Sequence, residues 1–107
     1  NFISSRSSIA FSKTASSGAW SFNTSKFNSA LLKQIIIKSA TATTTFDISL
    51  TDDHNNKPFD TATSGETATG TLNKEVDIPL KGIYTIACAS ASTDEAFVGR
   101  LMIMEEN

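Results

Sequence analysis

Residues 45–51 alternate without a break: Phe46, Ile48 and Leu50 fall on one side, and Thr45, Asp47, Ser49 and Thr51 on the other. A strict period of two belongs to an extended strand with one face on a core and one in water, because successive side chains point to opposite faces. The rest of the chain has to be compatible with that strand, and most of it repeats the pattern. In residues 31–38 the run Ile35, Ile36, Ile37 favours a strand, although Phe27, Leu31 and Ile35 also align at helical spacing, so a short helical turn before the strand stays open. Val76, Ile78 and Leu80 alternate with Asp77 and Pro79. Proline donates no ladder hydrogen bond, which puts that strand at an edge or close to its end.

Two further strands carry apolar residues on both sides. Residues 83–90 set Tyr84, Ile86 and Cys88 against Ile83, Thr85, Ala87 and Ala89. Residues 97–104 set Phe97, Leu101 and Ile103 against Val98, Met102 and Met104, interrupted by Arg100. Two apolar faces need two coverings: one meets the core, and the other needs a second layer, another part of the chain or another subunit. Between the strands lie dense turn formers, Asp52-Asp53-His54-Asn55-Asn56-Lys57-Pro58, Lys81-Gly82 and Ser92-Thr93-Asp94-Glu95. The stretch from Phe59 to Gly70 reads as a loop or a loose edge hairpin. Six to eight short strands at such intervals predict an all-β fold, an antiparallel β-sandwich for which jelly-roll connectivity is one arrangement. With 107 residues the chain fits one core.

The first thirty residues keep neither period. Serines separate isolated large residues, Phe2, Ile9, Phe11, Trp20, Phe22 and Phe27. A segment this aromatic has something to dock on, since disordered tails are poor in such residues. The expected division is an extended N-terminal arm over 1–30 and a β-sandwich over 31–107, with the arm packed either on its own core or on a partner. Charge separates along the chain in a similar way. Up to Phe46 the charges are Arg6, Lys13, Lys26, Lys33 and Lys38; from Asp47 onward eleven acids face Lys57, Lys74, Lys81 and Arg100. A basic arm could lie against an acidic neighbouring surface and steer association, or the asymmetry could vanish once the chain folds.

Large, rigid or adaptable side chains contribute most at interfaces. The arm and the outer face of the last strand therefore supply the candidate partner-binding residues: Phe2, Arg6, Ile9, Phe11, Lys13, Trp20, Phe22, Phe27, Met102 and Met104. For Trp20, core and interface stand level.

Catalytic chemistry finds little to work with, and no catalytic or metal-ligating residue is expected. The one histidine, His54, sits in a turn with no nucleophile-elbow sequence anywhere to serve it. Asp53, Asn55 and Lys57 fall at calcium-loop spacing, but Lys57 is a cation and the glycine and distal glutamate are missing. One cysteine and one histidine make no zinc set and no disulfide. The five glycines never form a phosphate-cradling run before a helix. Lysines and an arginine interleaved with aromatics suit a nucleic-acid groove, but a sequence pI near 5.2 opposes it. No apolar run reaches membrane-spanning length, and no secretory signal layout opens the chain. The expectation is a protein that binds and does not catalyse, without cofactor, nucleic acid or membrane.

The run Leu31-Leu32-Lys33-Gln34-Ile35-Ile36-Ile37-Lys38, followed by Ala40-Thr41-Ala42-Thr43-Thr44-Thr45-Phe46-Asp47-Ile48-Ser49-Leu50-Thr51-Asp52, resembles the small β-sandwich structural proteins of tailed bacteriophages. Leu80-Lys81-Gly82-Ile83-Tyr84-Thr85-Ile86 and Ala91-Ser92-Thr93-Asp94-Glu95 before the apolar last strand extend the likeness over 31–105. Within that group the size matches capsid decoration, or cement, proteins. The resemblance implies binding to the outer surface of an assembled head, where copies bridge coat subunits. It implies the major capsid protein and the chain itself, as a dimer or trimer, as partners, and a place on the virion surface after assembly in the host cytoplasm. Two other readings stay open. One is a fibre or tail-associated sandwich; the other is a carbohydrate-binding module, with Trp20, Phe22 and Tyr84 as its sugar platform.

Overall fold

A computed structural model of the chain describes residues 4–106. They form nine strands and one short helix: β1 (Ser4–Thr14), β2 (Trp20–Asn23), β3 (Phe27–Ser39), β4 (Thr45–Asp52), β5 (Phe59–Asp60), α1 (Thr61–Ser64), β6 (Ala68–Thr69), β7 (Thr71–Gly82), β8 (Tyr84–Ala89) and β9 (Ala96–Glu106). All pairings are antiparallel. One layer has the order β1-β9-β3-β7 and the other β2-β8-β4-β5, with the two-residue β6 linking β7 to β4 between them.

The pairing is that of one long hairpin rolled up. β4 pairs β5 at the closed end, then β3 pairs β7, β2 pairs β8 and β1 pairs β9 in nested succession. Rolling brings β9 against β3 and β8 against β4, which completes two four-stranded sheets. This connectivity is the jelly roll that the strand rhythm allowed.

Inward residues follow from the alternation. Phe46, Ile48 and Leu50 of β4 are buried as their period requires, and they meet Leu32, Ile35 and Ile37 of β3 and Phe97, Leu101 and Ile103 of β9 in a single core. β3 explains its own ambiguous spacing. Register shifts between Phe27 and Ala30 and between Leu32 and Gln34 mark bulges that flip its phase, so Phe27, Ala30, Leu32, Ile35 and Ile37 all face inward on an extended strand. Two odd steps in a strand mimic a helical spacing, and the helical turn considered before residue 31 is strand.

The expected division at residue 30 is corrected. Residues 4–30 form no arm: β1 is an outer strand of one sheet, β2 an outer strand of the other, and β3 runs across residue 30. Trp20 is 7% exposed and Phe27 6%, so their apolar surface is spent on the chain's own core. The antiparallel β-sandwich is as expected; it has nine strands among the described residues, and several are long, with 13 residues in β3 and 12 in β7. β1 escaped notice because its outward positions are mostly serine and alanine and its inward positions include Lys13, which blurs the alternation.

The region read as a loop over 59–70 is ordered by side-chain bonds. Asp60 caps α1 by accepting from the Ala62 N–H at 3.1 Å and from the Thr63 hydroxyl at 2.8 Å. Thr61, 1% exposed, accepts from the Ile48 N–H at 3.0 Å and donates to the Asp47 carboxylate at 2.9 Å, pinning α1 to β4. Gly70 then turns the chain between layers with a φ of 72°, and a side chain there would collide with the Ala42 carbonyl oxygen. Its N–H donates to Thr44 at 2.7 Å, and its carbonyl accepts from the Ser39 N–H at 2.8 Å.

Candidate functional site

Directly paired residues in an antiparallel sheet share a face, so the register of β1-β9-β3-β7 gives the content of its outer side. Four rows run across it: Ser12, Val98, Lys38 and Thr71; Ala10, Arg100, Ile36 and Asn73; Ser8, Met102, Gln34 and Glu75; Arg6, Met104, Leu31 and Pro79. The middle two columns hold the bulk. Val98 is 55% exposed, while Ile36, Met102, Met104 and Leu31 are half-buried. Arg6, Lys38 and Arg100 stand exposed among them. Beside Val98 and Ile36 the small side chains of Ala10 and Ser12 leave a shallow depression of about 580 Å³, flanked by Lys38 and Arg100. Lower on the same face, Gln34 donates to Asn73 at 2.7 Å, and the bulge residue Lys33 pairs with Asp77.

The opposite face of the sandwich has a different character. Its rows read Ser21, Ala87, Ser49 and Asp60, then Asn23, Thr85 and Thr51, then Ala89 and Asp47. Small polar side chains satisfy one another there: Thr85 donates to Asn23 at 2.7 Å, and Asp47 accepts from Thr67 at 2.7 Å. One face is therefore apolar and basic, the other smooth and acidic. The charge asymmetry along the sequence survives in part as an asymmetry across the molecule, because the strands that carry Arg6 and Lys38 share one sheet, where Arg100 of the acidic half joins them.

Comparison with known proteins gives likeness in shape without a family. No protein-family model matches the chain. No curated protein matches it either. Among solved structures, a chain of the cyanophage Pam1 capsid asymmetric unit aligns over 99% of this chain and 84% of its own, with 17% identity and a TM-score of 0.49. A chain of the infectious bursal disease virus Gx strain aligns over 97% of this chain, with 10% identity and a TM-score of 0.40; this chain spans 32% of its length. The carbohydrate-binding module CBM36, in complex with calcium and xylotriose, aligns over 90% of this chain and 78% of its own, with 16% identity and a TM-score of 0.36. Likenesses at these identities and scores assign no activity or partner.

The ten candidate residues divide three ways. Arg6, Met102 and Met104 come together on the outer face, Arg6 directly across the ladder from Met104. Ile9, Phe11, Lys13 and Phe22 lie at the open edge between the sheets, where Phe11 meets Phe22 at 4.7 Å and the Lys13 ammonium stands 5.5 Å over the Phe22 ring. Trp20 and Phe27 are core: Trp20 contacts Phe11 at 5.4 Å and Phe97 at 5.8 Å, and Phe27 contacts Tyr84 at 6.1 Å. Phe2 lies outside the described residues. The candidate residues did not include Ile36, Lys38, Arg100 or Val98, although the alternation sets Val98 on one face with Met102 and Met104. The signal was available, since the middle of three consecutive isoleucines in a strand must face away from its neighbours, and Val98 shares the parity of Met102 and Met104.

The residues held open for other chemistry are accounted for as well. Tyr84 is 6% exposed, with its hydroxyl accepting from the Lys81 N–H at 3.0 Å, so Trp20 and Tyr84 present no row of exposed rings for sugar. His54 is an exposed turn residue whose Nδ1 lies 2.9 Å from an Asp53 oxygen. Asp52, Asp53 and His54 offer ligand atoms within 4.8 Å of one another. The Asp52 carboxylate is committed to its own turn, accepting from the backbone N–H groups of Asn56 at 2.8 Å and His54 at 2.9 Å. No helix among the described residues is long and apolar enough to cross a membrane.

Proposed function

We propose that this chain is a virion structural protein that binds the outer surface of a bacteriophage capsid and braces it by bridging coat subunits, with no catalytic role. The observation that carries the reading is the outer face of β1-β9-β3-β7. It keeps Val98, Ile36, Met102 and Met104 in reach of a partner and sets Arg6, Lys38 and Arg100 around them, while the opposite face is small and polar. Apolar anchors flanked by Arg6, Lys38 and Arg100, with Glu75 and Asp77 confined to the β7 side, suit a partner surface that is acidic where it meets β1, β9 and β3; there the cations fix register and the apolar groups supply affinity. Repetition over a lattice multiplies modest contacts into firm binding. The resemblance in strand rhythm and turn chemistry to phage decoration proteins supports the same partner, and the burial of Trp20 and Tyr84 disfavours the sugar-binding alternative.

Co-sedimentation with empty bacteriophage heads that lack the protein tests this reading. Binding should saturate at a fixed ratio of copies to coat subunits. The triple variant Arg6→Glu, Lys38→Glu, Arg100→Glu should lose it at least tenfold with an unchanged thermal transition. Heads that recover no protein, or a variant that binds as well as the parent, would refute it.

A further inference from the structure

The outer strands of the two sheets are not equally guarded. β7 carries Pro79, which cannot donate to a new neighbour and so discourages a further strand. β2 has four residues and β5 two, too few to template a ladder. β1 is the exception. It spans eleven residues, contains no proline, lays its inward Lys13 over the Phe22 ring and, among the described residues, has β9 as its one ladder neighbour. Along the same edge the sandwich stays open: a cleft of about 400 Å³ lies between β1 and β2, with half-buried Ile9, Phe11 and Phe22 in its lining.

We infer that β1 pairs antiparallel with β1 of a second copy about a twofold axis at Ala10, joining two four-stranded layers into one eight-stranded sheet. Directly opposed residues must share a face, so the numbers of each pair sum to an even value, and an axis at Ala10 satisfies this. Ile9 then faces the second copy's Phe11 on the interior side, and each copy supplies the apolar cover that the other's cleft lacks. On the outer side Ser8 meets Ser12, and Ala10 meets its own counterpart. Arg6 falls opposite Thr14 and Lys13 opposite Ser7, so no two cations are opposed, and isologous contact of this kind closes on itself as a dimer. The inference rests on the edge alone and holds whichever partner the outer face takes.

Cross-linking decides it on the intact chain, because the native thiol, Cys88, is buried and silent. Opposed Cα atoms in an antiparallel ladder stand about 4.5–5.5 Å apart, within disulfide reach. Two copies of residue 12 would be four strand positions out of register, roughly 13 Å along the strand, and beyond it. Sedimentation should show a concentration-dependent dimer. Ala10→Cys should oxidise to a linked dimer at least tenfold faster than Ser12→Cys, and a mixture of Ser8→Cys with Ser12→Cys should cross-link where neither alone does. Ala10→Lys should weaken the dimer at least tenfold, and mixing it with Ala10→Glu should restore it. A monomer at every concentration overturns the inference. So does a dimer indifferent to Ala10→Lys, or one that links faster through Val98→Cys, which would place the contact on the sheet face; pairing only with an added acidic peptide would assign the edge to a different strand.

Discussion

Phe11 lies across the β1–β9 ladder from Gly99, its ring occupying the space where a side chain on residue 99 would be. A Cβ there would collide with Cζ and stand 2.8 Å from Cε2 and 2.9 Å from Cε1. Gly99 is therefore glycine for space and not for backbone freedom. In an open strand position Gly→Ala gains about 0.5–1 kcal/mol. Here the ring must move, and Gly99→Ala should cost about 1–3 kcal/mol in chemical denaturation. Adding Phe11→Leu should make the alanine better tolerated, giving a double-mutant effect smaller than the sum of the singles.

Thr61 ties α1 to β4 through one hydroxyl that both accepts and donates. Thr61→Val keeps the shape and leaves the Ile48 N–H without its partner, which should lower stability by about 1–3 kcal/mol. Thr61→Ser, which retains the hydroxyl, should lose less. The midpoint of urea unfolding reads both.

A chain that begins at Phe27 lacks β1, β2 and the aromatic contacts of Trp20 with Phe11, Phe22 and Phe97. It should fail to give a cooperative thermal transition and should bind hydrophobic dyes. A truncated form that melts as sharply as the full chain would return the 1–26 segment to the status of an arm.

Burial, and secondarily the negative charge of Asp47, pushes the Cys88 thiol up to about 12. Cys88 is 2% exposed. At pH 8 the native protein should therefore leave a thiol reagent unreacted over hours, and denaturant should release one equivalent at the rate of unfolding. Reaction at the speed of a free thiol in native buffer would contradict the placement of β8.

Three carboxylates around the 52–66 region are held below their ordinary values by the bonds they accept. The Asn56 N–H lowers Asp52, the Thr63 hydroxyl lowers Asp60, and the hydrogen bond from Lys74 lowers Glu66. A folded value below the unfolded one means the contribution is present above the ordinary values of 3.8 and 4.5 and is lost as pH falls through the depressed ones. Glu66 is exposed and Asp52 and Asp60 are half-buried in surface turns, so the effect is local. Amide exchange in β5 and α1 should quicken below about pH 4, relative to β3 and β9, after correction for intrinsic rates.

The alternation in residues 45–51 and 97–104 translated directly into buried and more exposed faces, because β4 and β9 keep one phase and are flanked on both sides. β3 was legible as a strand but not in phase, since its two bulges interrupt the period that a reader follows. β1 was the largest loss. An outer strand needs only one interior face, and here that face is Ile9 and Phe11 interrupted by Ser7 and Lys13, too sparse to register as a pattern. The candidate face was half visible: Met102 and Met104 advertised it, while Ile36 and Lys38 joined it only through a register between strands far apart in sequence. Trp20 looked like an interface anchor because its contact Phe97 lies 77 positions away along the chain.

The position of β9 between β1 and β3 sets an order of events during synthesis. Until residues near 96–106 leave the ribosome, β1 has no ladder neighbour, and the slot between it and β3 stands open with two unpaired edges. The long-separation pairings that close last in such a nested hairpin carry the largest entropic cost, so completion waits on β9 and is slow relative to helical domains of similar size. During that interval the nascent chain exposes the edges most able to capture a stray strand, which makes this fold sensitive to crowding among its own newly made copies.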